Sequence, residues 1–255
     1  MAEKPRLDAV VFDAGGTLVR LDFEWISGML ATLGVTASVA QLRRAEVHGR
    51  KCLDAAAAAG PRDRSPGTPH PAIGSFAPVE AYFRGMLEAA GCRHPLLDEA
   101  LDRLNERQAS DHFLWARPME GARDALDALP GLGLRAACVS NSDGRAEAHL
   151  VRHGMRTGLE FVVDSQLVGI EKPDPRIFRI ALDRLGVRAE HALYVGDIRA
   201  GDEVGARAAG MAFVLIDPYL DYGDPGSLRI AALGELPALL VRHFAPPLAH
   251  EQPRA

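Results

Sequence analysis

The segment that decides the fold is VVFDAGGTLV, which runs from Val10 to Val19. It begins with a continuous apolar run, as expected for a strand that is buried on both faces of a parallel sheet. A glycine turn follows, and Asp13 lies where the strand and the turn meet. In open parallel sheets, ligands bind beside the carboxyl ends of the strands. Asp13 is therefore a candidate site residue, although aspartate is also a common turn residue after strands.

Four later apolar runs have the same character as the first. Helical patterns separate them, and alternation of strand and helix predicts an α/β fold with a parallel sheet and right-handed crossovers. The five predicted strands are Leu7–Phe12, Arg135–Ser140, Glu160–Asp164, Ala192–Asp197 and Ala212–Asp217.

The interval between the first two strands is too long for one crossover helix. We interpret residues 21–115 as a helical insertion, and residues 1–20 with 116–255 as the core domain. A segment rich in proline and glycine, Gly60–Ser75, breaks the insertion and contains Arg62, Arg64 and His70. The helices predicted within the insertion are Phe23–Leu33, Val39–Ala59, Pro78–Ala90 and Pro95–Gln108.

Composition excludes several classes of partner. The chain has 255 residues and a net charge of −5, with acidic and basic residues interspersed, so no basic stripe for nucleic acid is expected. No apolar run approaches the ~18 residues of a membrane span, and the start lacks a signal-peptide pattern. The cysteines are three in number and form no CxxC pair, which favours a reducing, cytoplasmic setting.

Polar residues follow the predicted strands. Ser140 and Asn141 end the second strand, where a hydroxyl and backbone N–H groups suit a phosphate oxygen, although both residues are also ordinary helix caps. Lys172 precedes a Pro-Asp-Pro turn and a helix. Its ammonium could neutralise a carboxylate and a bound phosphate at the sheet edge, although such a lysine is usually solvated.

Two further carboxylates belong to the loop after the fourth strand. Asp197 ends that strand and Asp202 lies five residues later. Close carboxylates repel one another unless a cation lies between them. With Asp13 they form an oxygen-rich cluster suited to Mg²⁺, while the simpler interpretation is that Asp202 caps a helix.

Together, these segments resemble the haloacid dehalogenase superfamily. The resemblance rests on DAGGTL, VSNSDG, KPDPRIF and GDIRAGDEVGARAAGM, in that order along the chain. It implies a Rossmann-like, doubly wound sheet with strand order 5-4-1-2-3, in which the first and fourth strands are neighbours. The helical insertion is similar in position to the helical cap of that family.

The resemblance also implies roles in a phosphatase for a small phosphorylated metabolite. Asp13 would attack phosphorus and form an aspartyl-phosphate, while Ser140, Asn141 and Lys172 would hold the phosphoryl group, helped by Thr17 in the first turn. Asp13, Asp197 and the backbone carbonyl of Gly15 would bind Mg²⁺, with Asp202 supporting the metal.

Gly15 departs from the pattern of the family's phosphatases, which carry an acid–base aspartate at this position. General acid–base catalysis contributes ~10²–10⁴-fold. We therefore expect a slow enzyme, a better leaving group such as an acyl, anomeric or aryl phosphate, or a replacement acid. Asp22, Glu24 and His48 are the candidates for that replacement.

Three alternatives remain open. The superfamily's dehalogenases also lack an acid at this position, and use their aspartate on carbon without a metal. Its carbon–phosphorus hydrolases would need a Schiff-base lysine, for which Lys51 is the only lysine of the insertion. A non-catalytic relative that binds phosphate or a protein is the third. Asp197 and Asp202 together favour the Mg²⁺-dependent phosphatase.

Overall fold

The computed structural model describes residues 4–58, 77–224 and 226–247. Its strands are β1 Ala9–Phe12, β2 Val19–Arg20, β3 Arg117–Pro118, β4 Arg135–Ser140, β5 Val162–Asp164, β6 Ala192–Gly196, β7 Ala212–Ile216 and β8 Arg229–Ile230. Its α-helices are α1 Phe23–Thr32, α2 Val39–Ala58, α3 Ala77–Ala89, α4 Leu96–Ala109, α5 Ala122–Ala128, α6 Ala146–Arg152, α7 Ser165–Val168, α8 Pro175–Leu185, α9 Val204–Ala208 and α10 Leu236–His243.

The main sheet is parallel, with strand order β5-β4-β1-β6-β7-β8. The predicted strands 1 to 5 correspond to β1, β4, β5, β6 and β7. Read from the β7 side, their order is the predicted 5-4-1-2-3, and a short sixth strand, β8, which the sequence did not indicate, lies beyond β7. The predicted strands lie within two residues of the observed bounds. The first and fourth strands, β1 and β6, pair directly, with Phe12 opposite Val195. Asp13 and Asp197 therefore leave the sheet from adjacent strands.

Buried apolar side chains cover both faces of this sheet. One cluster includes Val10 and Phe12 of β1 and packs against α5 and α10. The other includes Ala9 and Val11 and packs against α8 and α9. Burial on both faces explains why these strands are continuously apolar rather than alternating.

The helical insertion has an apolar cluster of its own. Its fully buried members all lie between Leu21 and Leu114 and come from α1 to α4 and the segments that flank them. The helix bounds agree with the predicted ones to within one residue. The predicted loop Gly60–Ser75, with Arg62, Arg64 and His70, lies outside the described residues. None of the helices in the described part of the chain has the length and apolar character needed to cross a membrane.

The insertion enters and leaves the core through the two-stranded ribbon of β2 and β3, where Val19 pairs with Pro118. Helix α2 also reaches back to the core. Asp54 on α2 accepts hydrogen bonds from the backbone N–H of Ala200, at 2.8 Å, and from the hydroxyl of Tyr222, at 2.6 Å. The insertion therefore lies over the loop that follows β6, close to the carboxyl edge of the sheet.

Candidate functional site

A lysine between two carboxylates forms the centre of the site. The ammonium of Lys172 donates to Oδ1 of Asp13 at 2.6 Å and to Oδ1 of Asp202 at 2.7 Å. Its third donor reaches the hydroxyl of Tyr194 at 3.1 Å. All three partners are buried, so the charges face one another away from bulk water, where their interaction is strong.

The turn after β1 fixes the position of Asp13. The backbone N–H groups of Leu18 and Val19 both donate to the carbonyl of Ala14 at 2.9 Å, closing a compact loop. Gly16 adopts φ +81°, and a Cβ atom there would lie 2.1 Å from Oδ2 of Asp197. Only glycine therefore lets the turn approach the end of β6 this closely.

Asn141 fixes Lys172 from the neighbouring strand. Its Oδ1 accepts from the backbone N–H of Lys172 at 2.8 Å, and its Nδ2 donates to the carbonyl of Lys172 at 3.0 Å. Both polar atoms of the Asn141 side chain thus bind the backbone of Lys172. Ser140, one residue earlier, lines the cavity beside Asp13.

Asp202 is held by both of its oxygens. Oδ2 accepts from the backbone N–H groups of Asp197 and Ile198, each at 3.0 Å, while Oδ1 accepts from Lys172. This carboxylate lies in a short π-helical segment, Arg199–Glu203, that continues into α9. Asp202 therefore orients the lysine and the β6 loop, and both of its oxygens already accept hydrogen bonds.

Asp197 is the carboxylate with unused capacity. Its Oδ1 is buried and has no hydrogen-bond partner among the described residues. Its Oδ2 lies 3.4 Å from Nε of Arg50, which comes from helix α2 of the insertion. Arg50 is 1% exposed, and it also contacts Oε2 of Glu46 at 3.3 Å and donates to the carbonyl of Ile216 at 3.1 Å.

The buried cluster contains more acids than bases. When all groups are ionised, it has four negative side chains and two positive ones; the members are Asp13, Asp197, Asp202, Glu46, Lys172 and Arg50. The excess of two negative charges matches one divalent cation. Asp13, Asp197 and Asp202 can each bring a carboxylate oxygen within 4.8 Å of the other two, so the donor set fits Mg²⁺.

Burial is the main influence on the pKa values of the two carboxyl groups. Burial raises the pKa of Asp13 to about 6, and the nearby Lys172 only partly opposes this. Burial also raises the pKa of Asp197 well above its usual range, against the opposing effect of Arg50. Burial disfavours the charged form of Lys172, but Asp13 and Asp202 outweigh it and keep the pKa of the lysine above its ordinary value.

A cavity of about 520 Å³ opens on this cluster. Asp13, Ser140, Asn141, Lys172 and Asp202 line its core side. Its opposite wall comes from the insertion and is largely apolar; that wall includes Leu53, Ala57, Val79, Ala109 and Trp115. A volume of this size is typical of sites for small molecules.

Thr17 occupies a different place from the residues that line the cavity. It is fully buried in the turn, and its hydroxyl has no hydrogen-bond partner among the described residues. Its predicted role in substrate binding stays a prediction.

The three proposed replacement acids do not line the cavity, so that expectation is not supported. Asp22 caps α1 and accepts from Arg107 at 2.8 Å and from Arg117 at 3.2 Å. Glu24 is paired with Arg20, whose guanidinium lowers the pKa of Glu24 to about 2 and keeps it ionised.

His48 is exposed on α2, and so is Lys51. Both line a separate surface depression next to Asp221, away from Asp13. Among the described residues, no lysine of the insertion lines the cavity, so Lys51 is not placed to act as the Schiff-base lysine of a carbon–phosphorus hydrolase.

Sequence reasoning missed Arg50, Glu46, Tyr194 and Trp115. Arg50 and Glu46 are spaced i, i+4 on a helix and could form a pair, but this spacing is common on solvated helix faces. Tyr194 lies inside an apolar strand run, and Trp115 at the end of the insertion. Nothing in the sequence shows which of these side chains reach the site.

The fold and the arrangement around Asp13 define a class of protein. The sequence matches the haloacid dehalogenase-like hydrolases over residues 7–210, and the chain belongs to this family.

Curated relatives match over part of their length. A mouse protein named haloacid dehalogenase-like hydrolase domain-containing protein 3 is 43% identical over 107 residues, which is 42% of each chain. Phosphoserine phosphatase of Thermus thermophilus is 42% identical over 87 residues, 34% of this chain and 35% of that one. The chain thus spans about half or less of the length of the curated relatives that it matches.

Solved structures share the fold. YfnB, a HAD-family hydrolase of Bacillus subtilis determined with bound magnesium, matches with a TM-score of 0.61 at 20% identity. The match covers 92% of this chain and 99% of that one.

Proposed function

We propose that this protein is a Mg²⁺-dependent phosphatase that acts on a small phosphorylated metabolite through a phosphoryl-aspartate. The carrying observation is the bridge from Asp13 through Lys172 to Asp202 at the floor of the cavity. A buried carboxylate beside a fixed positive charge is the arrangement that this reaction requires of its nucleophile. Phosphatase names among the relatives support the same reaction class.

In the first step, an oxygen of Asp13 attacks phosphorus while the bond to the leaving oxygen breaks. The leaving oxygen takes the bonding electron pair, and the phosphoryl group is held covalently on Asp13. Lys172 and Ser140 balance the charge of the phosphoryl oxygens and hold their positions, which is the main contribution of proteins to phosphoryl transfer. In the second step, the oxygen of water bonds to phosphorus as the bond to the Asp13 oxygen breaks, so that Asp13 leaves as a carboxylate and the protons of the water leave with the phosphate.

Asn141 and Asp202 act through Lys172 in this proposal. Asn141 binds the lysine backbone on both sides, and Asp202 orients the ammonium. We also keep Thr17 as a residue of the turn that supports the phosphoryl site. The helical insertion, residues 21–115, acts as the cap that shields the site from water.

Asp13, Asp197 and the carbonyl of Gly15 would hold Mg²⁺, with Asp202 supporting Asp197 through its backbone. The Oδ1 of Asp197, which has no partner among the described residues, and the excess of two negative charges in the fully ionised cluster support this assignment. When bound, the cation neutralises charge on the phosphoryl oxygens.

Rapid-mixing kinetics with 4-nitrophenyl phosphate, with and without Mg²⁺, test the proposal. The nitrophenolate leaving group departs without a proton, so the assay measures attack by Asp13 independently of the missing acid. A Mg²⁺-dependent burst of one equivalent of nitrophenolate, with a matching phosphoryl adduct by intact mass, is expected. The Asp13→Asn variant should show neither. Absence of both in the wild-type protein would contradict the proposal, and turnover of 2-chloropropionate instead would support a dehalogenase.

A further inference from the structure

An indole covers the position where an acid side chain is missing. A Cβ atom built on Gly15 would lie 3.1 Å from Cδ1 and 3.1 Å from Nε1 of Trp115. Trp115 is held in turn by the ring of Phe83 in an edge-to-face contact, with 5.7 Å between centroids. The cavity wall beside Gly15 therefore includes an aromatic ring that packs against a second ring of the insertion.

The cavity has two chemically distinct ends. The end at Asp13 is charged and polar: it has the side chains that the phosphatase proposal uses, and Asp143, Arg145 and His149 line the cavity as well. Among the described residues, the wall beneath the insertion is mostly apolar: it has Trp115, Leu53 and Val79, with the polar Asn105 and Gln108 beside them. A ligand that fills both ends carries a phosphate on one side and a flat apolar group on the other.

Leaving-group chemistry selects among phosphates of this kind. Without a general acid at position 15, the departing oxygen leaves as an anion. The pKa of a phenol is about 10, as for tyrosine, whereas that of water is about 15.7 and that of an alkanol is similar. A phenolate is therefore a far better leaving group than an alkoxide, and its ring can pack on an indole.

We propose that the substrate is an aryl phosphate, the phosphate monoester of a phenol, whose ring packs against Trp115. The inference rests on the phosphatase activity proposed above and adds the substrate class. Trp115 is then a specificity-determining residue that binds the leaving group. Gly15, which has no side chain, leaves room for the indole of Trp115.

Turnover across leaving groups gives the first readout. Phenyl phosphates whose phenols differ in pKa are compared with acetyl phosphate and with glycerol 2-phosphate. We expect kcat/KM to fall steeply as the pKa of the phenol rises, and glycerol 2-phosphate to be inert. Trp115→Leu should raise KM for the aryl phosphates roughly 3- to 10-fold and leave that for acetyl phosphate unchanged, while Trp115→Phe restores most of the aryl preference.

Fluorescence gives a second readout that needs no turnover. The chain has two tryptophans, and Trp25 lines a separate surface depression. On an Asp13→Asn background, the Trp25→Phe variant keeps Trp115 as its only tryptophan. Its emission should be quenched by 4-nitrophenyl phosphate at saturable concentration, and unaffected by acetyl phosphate. The Trp115→Phe variant, which retains Trp25, is the matched control and should show no saturable quenching.

The outcomes separate the two proposals. Turnover of acetyl phosphate with equal effects of Trp115→Leu on every substrate, and no quenching of Trp115, would leave the phosphatase standing and overturn the aryl phosphate. Quenching of Trp115 without turnover of any phosphate would overturn the phosphatase and retain the aryl site. Efficient turnover of glycerol 2-phosphate would also overturn the substrate class, because an alkoxide would then leave without difficulty.

Discussion

Arg50 and Asp197 form a buried ion pair between the helical insertion and the core, with 3.4 Å between Nε and Oδ2. Arg50 lies in the middle of α2, and Asp197 directly after β6. The carboxylate best placed for Mg²⁺ is thus also the partner of an arginine from the insertion. Occupation of the proposed Mg²⁺ site and contact between the two parts of the chain would therefore depend on the same side chain.

Replacement of Arg50 by methionine should make stability depend on Mg²⁺. The substitution removes the counter-charge that Asp197 and Glu46 share, and breaking a buried pair in this way costs ~3–5 kcal/mol. A divalent cation bound at Asp197 would replace part of the positive charge that Arg50 supplied. Thermal unfolding of Arg50→Met should therefore show a larger rise in Tm on addition of Mg²⁺ than the wild-type protein does.

Arg44→Met is the matched control for this experiment. Arg44 lies on the same helix but is 54% exposed in its pair with Asp221. An exposed pair contributes ~0–1 kcal/mol, and its loss should not change the response to Mg²⁺. An equal Mg²⁺ response in Arg50→Met and the wild-type protein would show that the arginine and the metal do not share Asp197.

Removal of the Tyr194 hydroxyl should weaken catalysis by acting on Lys172. The hydroxyl accepts from Lys172 at 3.1 Å and donates to the carbonyl of Val139 at 2.8 Å, so it links the lysine to β4. Tyr194→Phe leaves the ring packing intact and should cost ~1 kcal/mol of stability. We expect a fall in kcat of several-fold with little change in KM, measured with 4-nitrophenyl phosphate.

Tyr82→Phe is the control, because its hydroxyl donates to Oε1 of Glu46 at 2.8 Å and touches neither Asp13 nor Lys172. It should cost similar stability and leave kcat unchanged. Equal effects of the two changes on kcat would mean that Tyr194 acts only through stability.

Much of the fold follows from local patterns in the sequence. The five core strands are predicted because burial on both sheet faces leaves an unbroken apolar run, and the helices of the insertion because their periodicity is regular. The sixth strand, Arg229–Ile230, has two residues and no such pattern. It forms only because β7 offers it an edge.

The core side of the site is predictable for a related reason. Parallel strands end at one edge, so polar residues at strand ends meet there whatever their separation along the chain. Arg50 and Trp115 escape this reasoning, because their positions depend on how the insertion packs onto the core. The contacts of Arg50 with Asp197 and of Trp115 with Gly15 are tertiary contacts, and no local sequence pattern predicts them.

Restoring an acid at position 15 should require two substitutions. In Gly15→Asp, the new Cβ atom would lie 3.1 Å from the indole of Trp115, so the carboxylate competes with the ring for space. Adding Trp115→Ala removes that obstacle. The double variant should gain activity on alkyl phosphates, up to the ~10²–10⁴-fold that an acid–base group supplies. The rates of glycerol 2-phosphate hydrolysis by the two single variants and the double variant check this.

Additive effects of the two substitutions would contradict the steric argument, since independent sites show no coupling. The Trp115→Ala variant alone is the reference, because it has the space without the acid. It should remain inactive on glycerol 2-phosphate.

Acid should destabilise the protein partly through His149. This residue is buried on α6, lines the cavity and packs on Phe113, with 3.3 Å between ring centroids. Burial lowers the pKa of His149 to about 4; Asp143 opposes this, while Arg145, His153 and Arg152 add to it. Because an unfolded histidine has a pKa of about 6.5, the unfolded state binds more protons between pH 6.5 and 4.

The stability that a neutral His149 confers is therefore fully present above pH 6.5 and is lost as the pH falls towards 4. One proton changes the free energy of unfolding by at most about 1.4 kcal/mol per pH unit. Urea unfolding at a series of pH values should show a shallower acid loss in both His149→Gln and His149→Phe than in the wild-type protein. The two replacements differ in packing and share only the loss of titration, so a wild-type slope in either one would assign the acid sensitivity to other groups.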